Sequence, residues 1–239
     1  MAKDADPSFE VAAIKPGDPN QRPGFPSNAR NFIARSETVE GMLRYAYTIR
    51  SEQILNAPQW FSKDRFDITA VPNLPGQPDG DQWKTMLRKL LAERFQLTLH
   101  HQQRVLPVYV LSVGRNGPKL TPSDAKDIGR NDASISITNI DTTLAARGET
   151  MASLAIVLQG FLLDRPVLNQ TGLTGSYDLR ITFTPIVSNV GGLHVPDQDP
   201  NSSAASIFTA IQDLGLRLDA TKQPVDVLVI EHADHPLLD

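Results

Sequence analysis

The sequence predicts an α+β protein made of two tandem, similar domains, each a small mixed sheet covered by two helices. Segments of the first half return in the second half in the same order, about 110 to 120 residues later. Each half also shows the same succession of hydrophobic patterns: strand, helix, two strands, helix, two strands. A repeat of this length is long enough to be a small domain, so a pseudo-two-fold duplication is predicted.

Four pairs of segments carry the repeat. They are 34–38 (ARSET) with 146–150 (ARGET), 54–56 with 167–169, 65–68 (RFDI) with 176–179 (SYDL), and 106–111 (LPVYVL) with 223–228 (QPVDVL). We therefore predict a first α+β repeat over residues 1–120 and a second over residues 131–239. Residues at about 114–130, rich in Gly, Pro, Asp and Lys, are the predicted linker.

In the first half, residues 9–14 alternate loosely and end near a proline, which predicts a strand. Thr38 is the expected N-cap of a helix, and Asp81 that of a second helix. Their apolar stripes consist of Val39, Met42, Leu43 and Ala46, and of Trp83, Met86, Leu87, Leu90 and Leu91. Further strands are predicted at 31–35, 53–55, 65–71, 96–101 and 108–113.

The second half follows the same order. Strands are predicted at 135–140, 166–168, 177–183, 216–219 and 225–230. Two further apolar stripes predict helices, and Gly215 ends the later one. The stripes consist of Met151, Leu154, Ala155 and Leu158, and of Ile207, Ala210, Ile211 and Leu214. Residues 185–205 are predicted to be a long polar insertion.

The composition excludes several classes of function. A net charge of −4 with scattered basic residues argues against a nucleic-acid partner, because phosphate neutralisation needs a concentrated positive surface. No apolar run approaches the roughly 20 residues that span a bilayer, so no transmembrane segment is predicted. The absence of cysteine excludes disulfides, thiolate metal sites and a cysteine nucleophile.

Seven segments together resemble a known family. They are 9–16 (FEVAAIKP), 57–60 (APQW), 64–67 (DRFD), 90–95 (LLAERF), 117–120 (GPKL), 165–167 (RPV) and 171–178 (TGLTGSYD). Over close to its full length, the chain resembles an uncharacterised secreted family, a domain of unknown function that is abundant in soil acidobacteria. Each half is also similar to the small domain at the N-terminus of secretins and TonB-dependent receptors.

This resemblance implies an extracytoplasmic setting and a binding or sensing role rather than a reaction. The chain starts with MAKDAD, which lacks the apolar core of a signal peptide. Because the family is exported, we expect a secreted or periplasmic protein whose native signal peptide has been replaced here. Asn169 stands where the family usually has an acid, which argues against a charged role at that position.

Glycine and histidine offer little specific chemistry. Gly172 and Gly175 form a G-x-x-G loop, but a strand is predicted to follow it, so we interpret it as a tight turn rather than a phosphate loop. His232 and His235 are the weak candidates for a zinc or nickel site, and they converge only if the C-terminal segment curls. A solvated tail is the favoured interpretation, and we expect no cofactor.

One of two neighbouring carboxylates in the first half has a counterpart in the second half. Asp64 and Asp67 could serve hydrolysis if they faced a cleft, but Asp178 occupies the position of Asp67 in the repeat. A residue needed in one active site has little reason to occur twice. We therefore expect these acids to bond backbone amides.

An aromatic pair in a loop is the strongest indication of an interaction surface. Trp60 and Phe61 lie between two predicted strands, where exposing them without a partner would be costly. Arg65 nearby could stack on an aromatic ring or pair with a carboxylate. We predict these three residues as the binding site, with the alternative that Trp60 folds back over the core of the first domain.

The favoured function is a non-catalytic binding or sensing module for an extracytoplasmic protein, peptide or glycan. One alternative is a hydrolase with a metal- or carboxylate-dependent site in the cleft between the halves. Another is a structural envelope protein that associates with itself through exposed strand edges. The sequence assigns neither the ligand nor the oligomeric state.

Overall fold

Helices and strands occur in both halves of the chain, which confirms the predicted α+β class. The computed structural model describes residues 6–26, 30–74, 76–128, 130–138, 141–184, 189–190, 193–194 and 205–239. Most of the predicted insertion at 185–205 therefore lies outside the described residues. That the two halves are copies of one segment stays a prediction.

The chain forms two compact units. Unit 1 contains Met1–Arg104 and Val225–Asp239, and unit 2 contains Val105–Pro224. Unit 2 is thus continuous in sequence, whereas unit 1 is made of two segments that flank it. Each unit has its own core of buried apolar side chains. This division differs from the predicted repeats, because each half ends with residues that belong to the other unit.

Unit 1 contains two helices, one complete three-stranded sheet and part of a second sheet. Its elements in chain order are β1 (Phe9–Pro16), β2 (Phe32–Thr38), α1 (Val39–Tyr47), β3 (Ile54–Leu55), β4 (Arg65–Pro72), α2 (Gly80–Arg94) and the start of β5 (Thr98–Val113). The first sheet has the order β1-β4-β2, and both pairings are antiparallel. Its inner face, with Ile14, Ala34 and Ile68, is buried in the core of the unit.

Unit 2 repeats the same kinds of element. After β5 come β6 (Thr121–Pro122), β7 (Asp132–Ile137), β8 (Thr142–Thr150), α3 (Met151–Val157), β9 (Val167–Asn169), β10 (Ser176–Phe183), β11 (Asn189–Val190), β12 (Leu193–His194), α4 (Ile207–Asp213) and β13 (Leu216–His232). The strands β6-β10-β8-β7 form an antiparallel sheet. A π-helical turn over Leu158–Leu162 follows α3.

Two long strands contribute residues to both units. In unit 1, Leu228 of β13 pairs in parallel with Ile54 of β3. In unit 2, Tyr109 of β5 pairs in parallel with Val167 of β9. The separate strands that we predicted around Pro107 and around Pro224 are wrong, since β5 and β13 each continue through the proline.

The helix starts show where capping can be predicted from sequence. Thr38 accepts a hydrogen bond from the amide of Gly41, which confirms it as the N-cap of α1. The prediction of Asp81 as the second cap is wrong, because Asp79 caps α2. The Asp79 carboxylate accepts from the amide of Gln82, and the Gln82 side chain accepts from the amide of Asp79. This reciprocal pair starts the helix two residues earlier than predicted.

No helix among the described residues combines the length and the apolar character that crossing a bilayer requires.

Candidate functional site

Trp60 and Phe61 lie in a 3₁₀ turn over Gln59–Ser62 of unit 1. The ring of Phe61 is only 1% exposed and belongs to the core. Trp60 is half-buried, and one of its faces stacks on His235 with ring centroids 4.1 Å apart. The Phe95 ring lies nearly parallel to Trp60, at 6.4 Å between centroids. Both aromatic residues therefore pack within unit 1, and their role in ligand binding stays a prediction.

Arg65, the third predicted binding residue, is half-buried next to the same core. Its Nη1 donates to the carbonyl oxygen of Ser36 at 2.8 Å, so the guanidinium ties β4 to β2. This contact gives Arg65 a local structural role. A role in binding also stays a prediction for this residue.

The two histidines near the C-terminus contact different acids. His232 Nε2 lies 3.2 Å from Asp234 Oδ2, and His235 Nε2 lies 2.9 Å from Asp64 Oδ2. In the part of the chain that the structure describes, no group of three or more His, Asp or Glu side chains is arranged to hold a metal ion. The contact to Asp64 anchors His235 over Trp60.

Asp67 and its counterpart Asp178 bond backbone amides, as predicted, whereas Asp64 contacts the His235 ring. Asp67 Oδ1 accepts from the amide of Ser36 at 2.6 Å, and Asp178 Oδ1 accepts from the amide of Gly148 at 2.9 Å. Ser36 and Gly148 have positive φ angles of 47° and 63° and lie in bulges of β2 and β8. The hydrogen bond from the Ser123 hydroxyl, together with the one from the Gly148 amide, lowers the pKa of Asp178. The carboxylates therefore hold two equivalent bulges.

Each bulge is followed by a buried glutamate, Glu37 in unit 1 and Glu149 in unit 2. Burial raises the pKa of both side chains. Neither side chain reaches the surface enough to meet a ligand directly, since Glu37 is 9% exposed and Glu149 is 0% exposed. Glu37 and Glu149 are therefore expected to affect the stability of the fold rather than to bind a ligand.

A groove that sequence reasoning missed runs between the outer edge of β1 and the last two turns of α2. All of its lining residues belong to unit 1. They are Ser8, Phe9, Glu10, Ala12, Lys89, Leu90, Glu93 and Arg94. One wall is therefore a strand edge, and the other is a helix face with two basic and one acidic side chain.

The chain's own C-terminal segment lies on the same strand edge. The amide of Asp239 donates to the carbonyl of Ile14 at 2.9 Å, and the amide of Ile14 donates to Asp239 Oδ2, also at 2.9 Å. These bonds place the Ile14 amide and carbonyl on the side of β1 that faces away from β4. By the alternation of an antiparallel ladder, the amide of Ala12 points the same way.

Arg94 connects this segment to the groove. Its Nη1 donates to the carbonyl of Ala12 at 2.8 Å, and its Nη2 lies 3.0 Å from Asp239 Oδ2 and 3.2 Å from the carbonyl of Leu237. The bond from the Ile14 amide and the contact with Arg94 hold the pKa of Asp239 below its usual value. The strand edge and Arg94 thus form a site that favours an ionised carboxylate.

The other basic residue of the groove also holds an acid. Lys89 pairs with the carboxylate of Asp6, which precedes β1. Beyond this point Phe9 stacks on Trp83, at 6.2 Å between ring centroids. The groove therefore has an aromatic end, and each of its two cations contacts a carboxylate from another part of the same chain.

Comparison with known proteins identifies a family but no activity. No curated protein and no solved structure matches the chain. A family model described as a protein of unknown function, DUF3738, matches residues 40–233, which is most of the sequence. The match covers nearly all of α1, the whole of α2 and the whole of unit 2, whereas β1 and residues 234–239 lie outside it. The chain therefore belongs to the DUF3738 family.

Proposed function

We propose that the chain is a non-catalytic, extracytoplasmic binding module that takes an extended peptide segment along the outer edge of β1. The single observation that carries this proposal is the position of residues 237–239. Asp239 already occupies part of that edge through a backbone bond from its amide to the carbonyl of Ile14. The resemblance to a secreted acidobacterial family, and to the N-terminal domains of secretins and TonB-dependent receptors, supports the exported setting.

A sheet edge is suited to this role because its outward amides and carbonyls form a template for another strand. Backbone bonds then supply affinity, and pockets for alternate side chains supply specificity. Next to β1 the groove offers such a pocket, bounded on its far side by α2. A peptide that takes the place of Asp239 and extends along the edge would lie between the strand and the helix.

The same edge could pair with a second copy of the chain. Val11 is 62% exposed on the outer face of the sheet, and Val71 lies opposite it in register and is also exposed. An apolar pair beside an open edge is a common feature of self-association. Sedimentation velocity at several protein concentrations distinguishes this candidate from a monomeric peptide binder.

The substitution Ala12→Pro tests strand addition. Proline removes the outward amide of residue 12 but breaks no bond to β4, so we expect the fold to be kept. The probes are three fluorescein-labelled heptapeptides in which threonine alternates with aspartate, asparagine or lysine. Fluorescence anisotropy should show that at least one peptide binds, and that Ala12→Pro weakens this binding about tenfold or more.

The matched control is Val11→Thr, which keeps every backbone donor and changes only an exposed side chain. We expect it to bind the peptide within about twofold of the unmodified chain. Circular dichroism establishes that both variants are folded. Unchanged binding by folded Ala12→Pro, or no binding of any peptide to the unmodified chain, would contradict strand addition at β1.

A further inference from the structure

We infer that the peptide recognised in this groove is acidic, with carboxylate side chains at alternate positions. This inference rests on the proposed function and adds the chemical class of its ligand. It follows from the contacts of Lys89 and Arg94, from the spacing of these two residues on α2, and from the exposure of the acids that now contact them.

Both basic residues of the groove contact carboxylates that the chain itself supplies. Lys89 pairs with Asp6, and Arg94 contacts Oδ2 of Asp239 at 3.0 Å. The amide of Ile14 donates to the same oxygen of Asp239, so one carboxylate is bound by a strand edge and a guanidinium together. The groove therefore already selects carboxylates at two places.

The spacing of the two cations suits an extended ligand. Lys89 and Arg94 are five residues apart on α2, about 7.5 Å along the helix axis and about 140° around it, and both line the groove. Alternate residues of a strand point to the same side and are about 6.7 Å apart. Two acids separated by one residue can therefore reach the two cations at once.

The acids that now contact these cations can be displaced. The side chains of Asp6 and Asp239 are 90% and 48% exposed, so a ligand in solution can reach and replace them. A ligand with two acids replaces both ion pairs and adds a backbone bond to the outward amide of Ala12. Asp6 and Asp239 would then act as internal competitors for the site.

The remaining charges of the groove limit what can bind. Glu10 and Glu93 also line it, so its formal charge with Lys89 and Arg94 is balanced. A continuous polyanion would be repelled by these two glutamates. A short segment with two carboxylates at the right spacing is favoured over a nucleic acid or a sulfated polysaccharide.

The same three heptapeptides test this ligand class. We expect the aspartate peptide to bind about tenfold or more tightly than the asparagine peptide, and the difference to shrink as salt rises. Lys89→Glu should remove this preference or shift it toward the lysine peptide. Lys84→Glu is the matched control, because it makes the same charge change on α2 outside the groove and should leave the preference unchanged.

Removing the internal competitors provides a second measurement. Asp6→Asn combined with Asp239→Asn should tighten binding of the aspartate peptide severalfold, because the cations are no longer paired. A different result would be that the three peptides bind with equal affinity and that Lys89→Glu leaves that affinity unchanged. This result would overturn the preference for an acidic ligand, but it would be compatible with strand addition at β1. A preference for the lysine peptide in the unmodified chain would also overturn it. Failure of all three peptides to bind would overturn both proposals.

Discussion

The bulge in β2 of unit 1 and the bulge in β8 of unit 2 are built from nearly the same residues, but their buried glutamates have different surroundings. Glu37 lies near Arg44 and Arg65, and both guanidiniums favour its ionised form. Glu149 instead lies near Asp132, which disfavours the ionised form. The hydroxyl of Ser153 opposes part of this effect. Neither Glu149 carboxylate oxygen, however, forms a hydrogen bond of ordinary geometry within the described residues.

The residue at the tip of each bulge differs in a related way. Ser36 carries a side chain at positive φ, and its hydroxyl donates to the carbonyl of Asp18. A Cβ on Gly148 would lie 1.7 Å from the carbonyl oxygen of Asp127. In unit 1 the Ser36 side chain adds a hydrogen bond at the bulge. In unit 2 the backbone around Gly148 is so close that no side chain fits there. The shared sequence motif produces the same bulge in both strands. The residues that surround each bulge determine how much a substitution there changes the free energy of unfolding.

The largest effect is expected from Gly148→Ala. The new methyl group meets the Asp127 carbonyl at a backbone angle that non-glycine residues rarely adopt, so the free energy of unfolding should fall by about 3 kcal/mol or more. Urea denaturation measures the loss, and hydrogen exchange of residues 142–150 assigns it to unit 2. Ser36→Ala is the control and should cost about 1 kcal/mol or less, since a Cβ is already present. Equal losses would mean that the two bulges are not different.

A smaller effect with a defined pH dependence is expected from Glu149→Gln. The pKa of Glu149 is raised above 4.5 in the folded state, so its contribution to stability is present below pH 4.5 and is lost as pH rises through the folded pKa. The neutral amide avoids this loss. At pH 7 the variant should therefore be more stable by about 1 kcal/mol, and the gain should vanish near pH 4.

Glu37→Gln provides the contrast for this measurement. Burial raises the pKa of Glu37 as well, but a hydrogen bond from the Thr38 amide and the charges of Arg44 and Arg65 oppose that rise. We expect its gain at pH 7 to be smaller than that of Glu149→Gln. Thermal denaturation of both variants between pH 4 and pH 8 gives the two profiles. A larger gain for Glu37→Gln would show that the arginines do not compensate its burial.

The smallest difference is expected between the two helix caps that follow the bulges. Thr38 accepts from the amide of Gly41, and Thr150 accepts from the amide of Ser153. Each substitution to alanine should cost about 1 kcal/mol of unfolding free energy. Urea titrations should therefore give equal values for the two variants. A Thr150→Ala cost more than twice that of Thr38→Ala would indicate that the cap in unit 2 also supports the bulge.

Local patterns predicted the helices and most strands, because the formation of these elements depends largely on residues that are close together in the sequence. The stripe at Val39, Met42, Leu43 and Ala46 is fully buried as expected. The strand β8 was missed, since its sequence TTLAARGET has few large apolar residues and only Leu144 and Ala146 mark its inner face. The continuity of β5 and β13 was missed because proline at their middle indicates a break.

The groove could not be predicted from local patterns at all. Its neighbouring contact joins Ile14 to Asp239, which are 225 residues apart in sequence. No periodicity links a strand edge near one end of a chain to an acid near the other. Trp60 was predicted to bind a ligand because large aromatic residues in loops often contact partners. In the structure one face of its ring stacks on His235 instead.

The discontinuous sequence of unit 1 has a consequence for synthesis on the ribosome. Leu228 and Ile230 belong to its core, and they are made only after all of Val105–Pro224 has been translated. The core of unit 2 can therefore be completed earlier in synthesis than the core of unit 1. We expect the N-terminal segment of unit 1 to lack part of its core until Val225–Asp239 has been made.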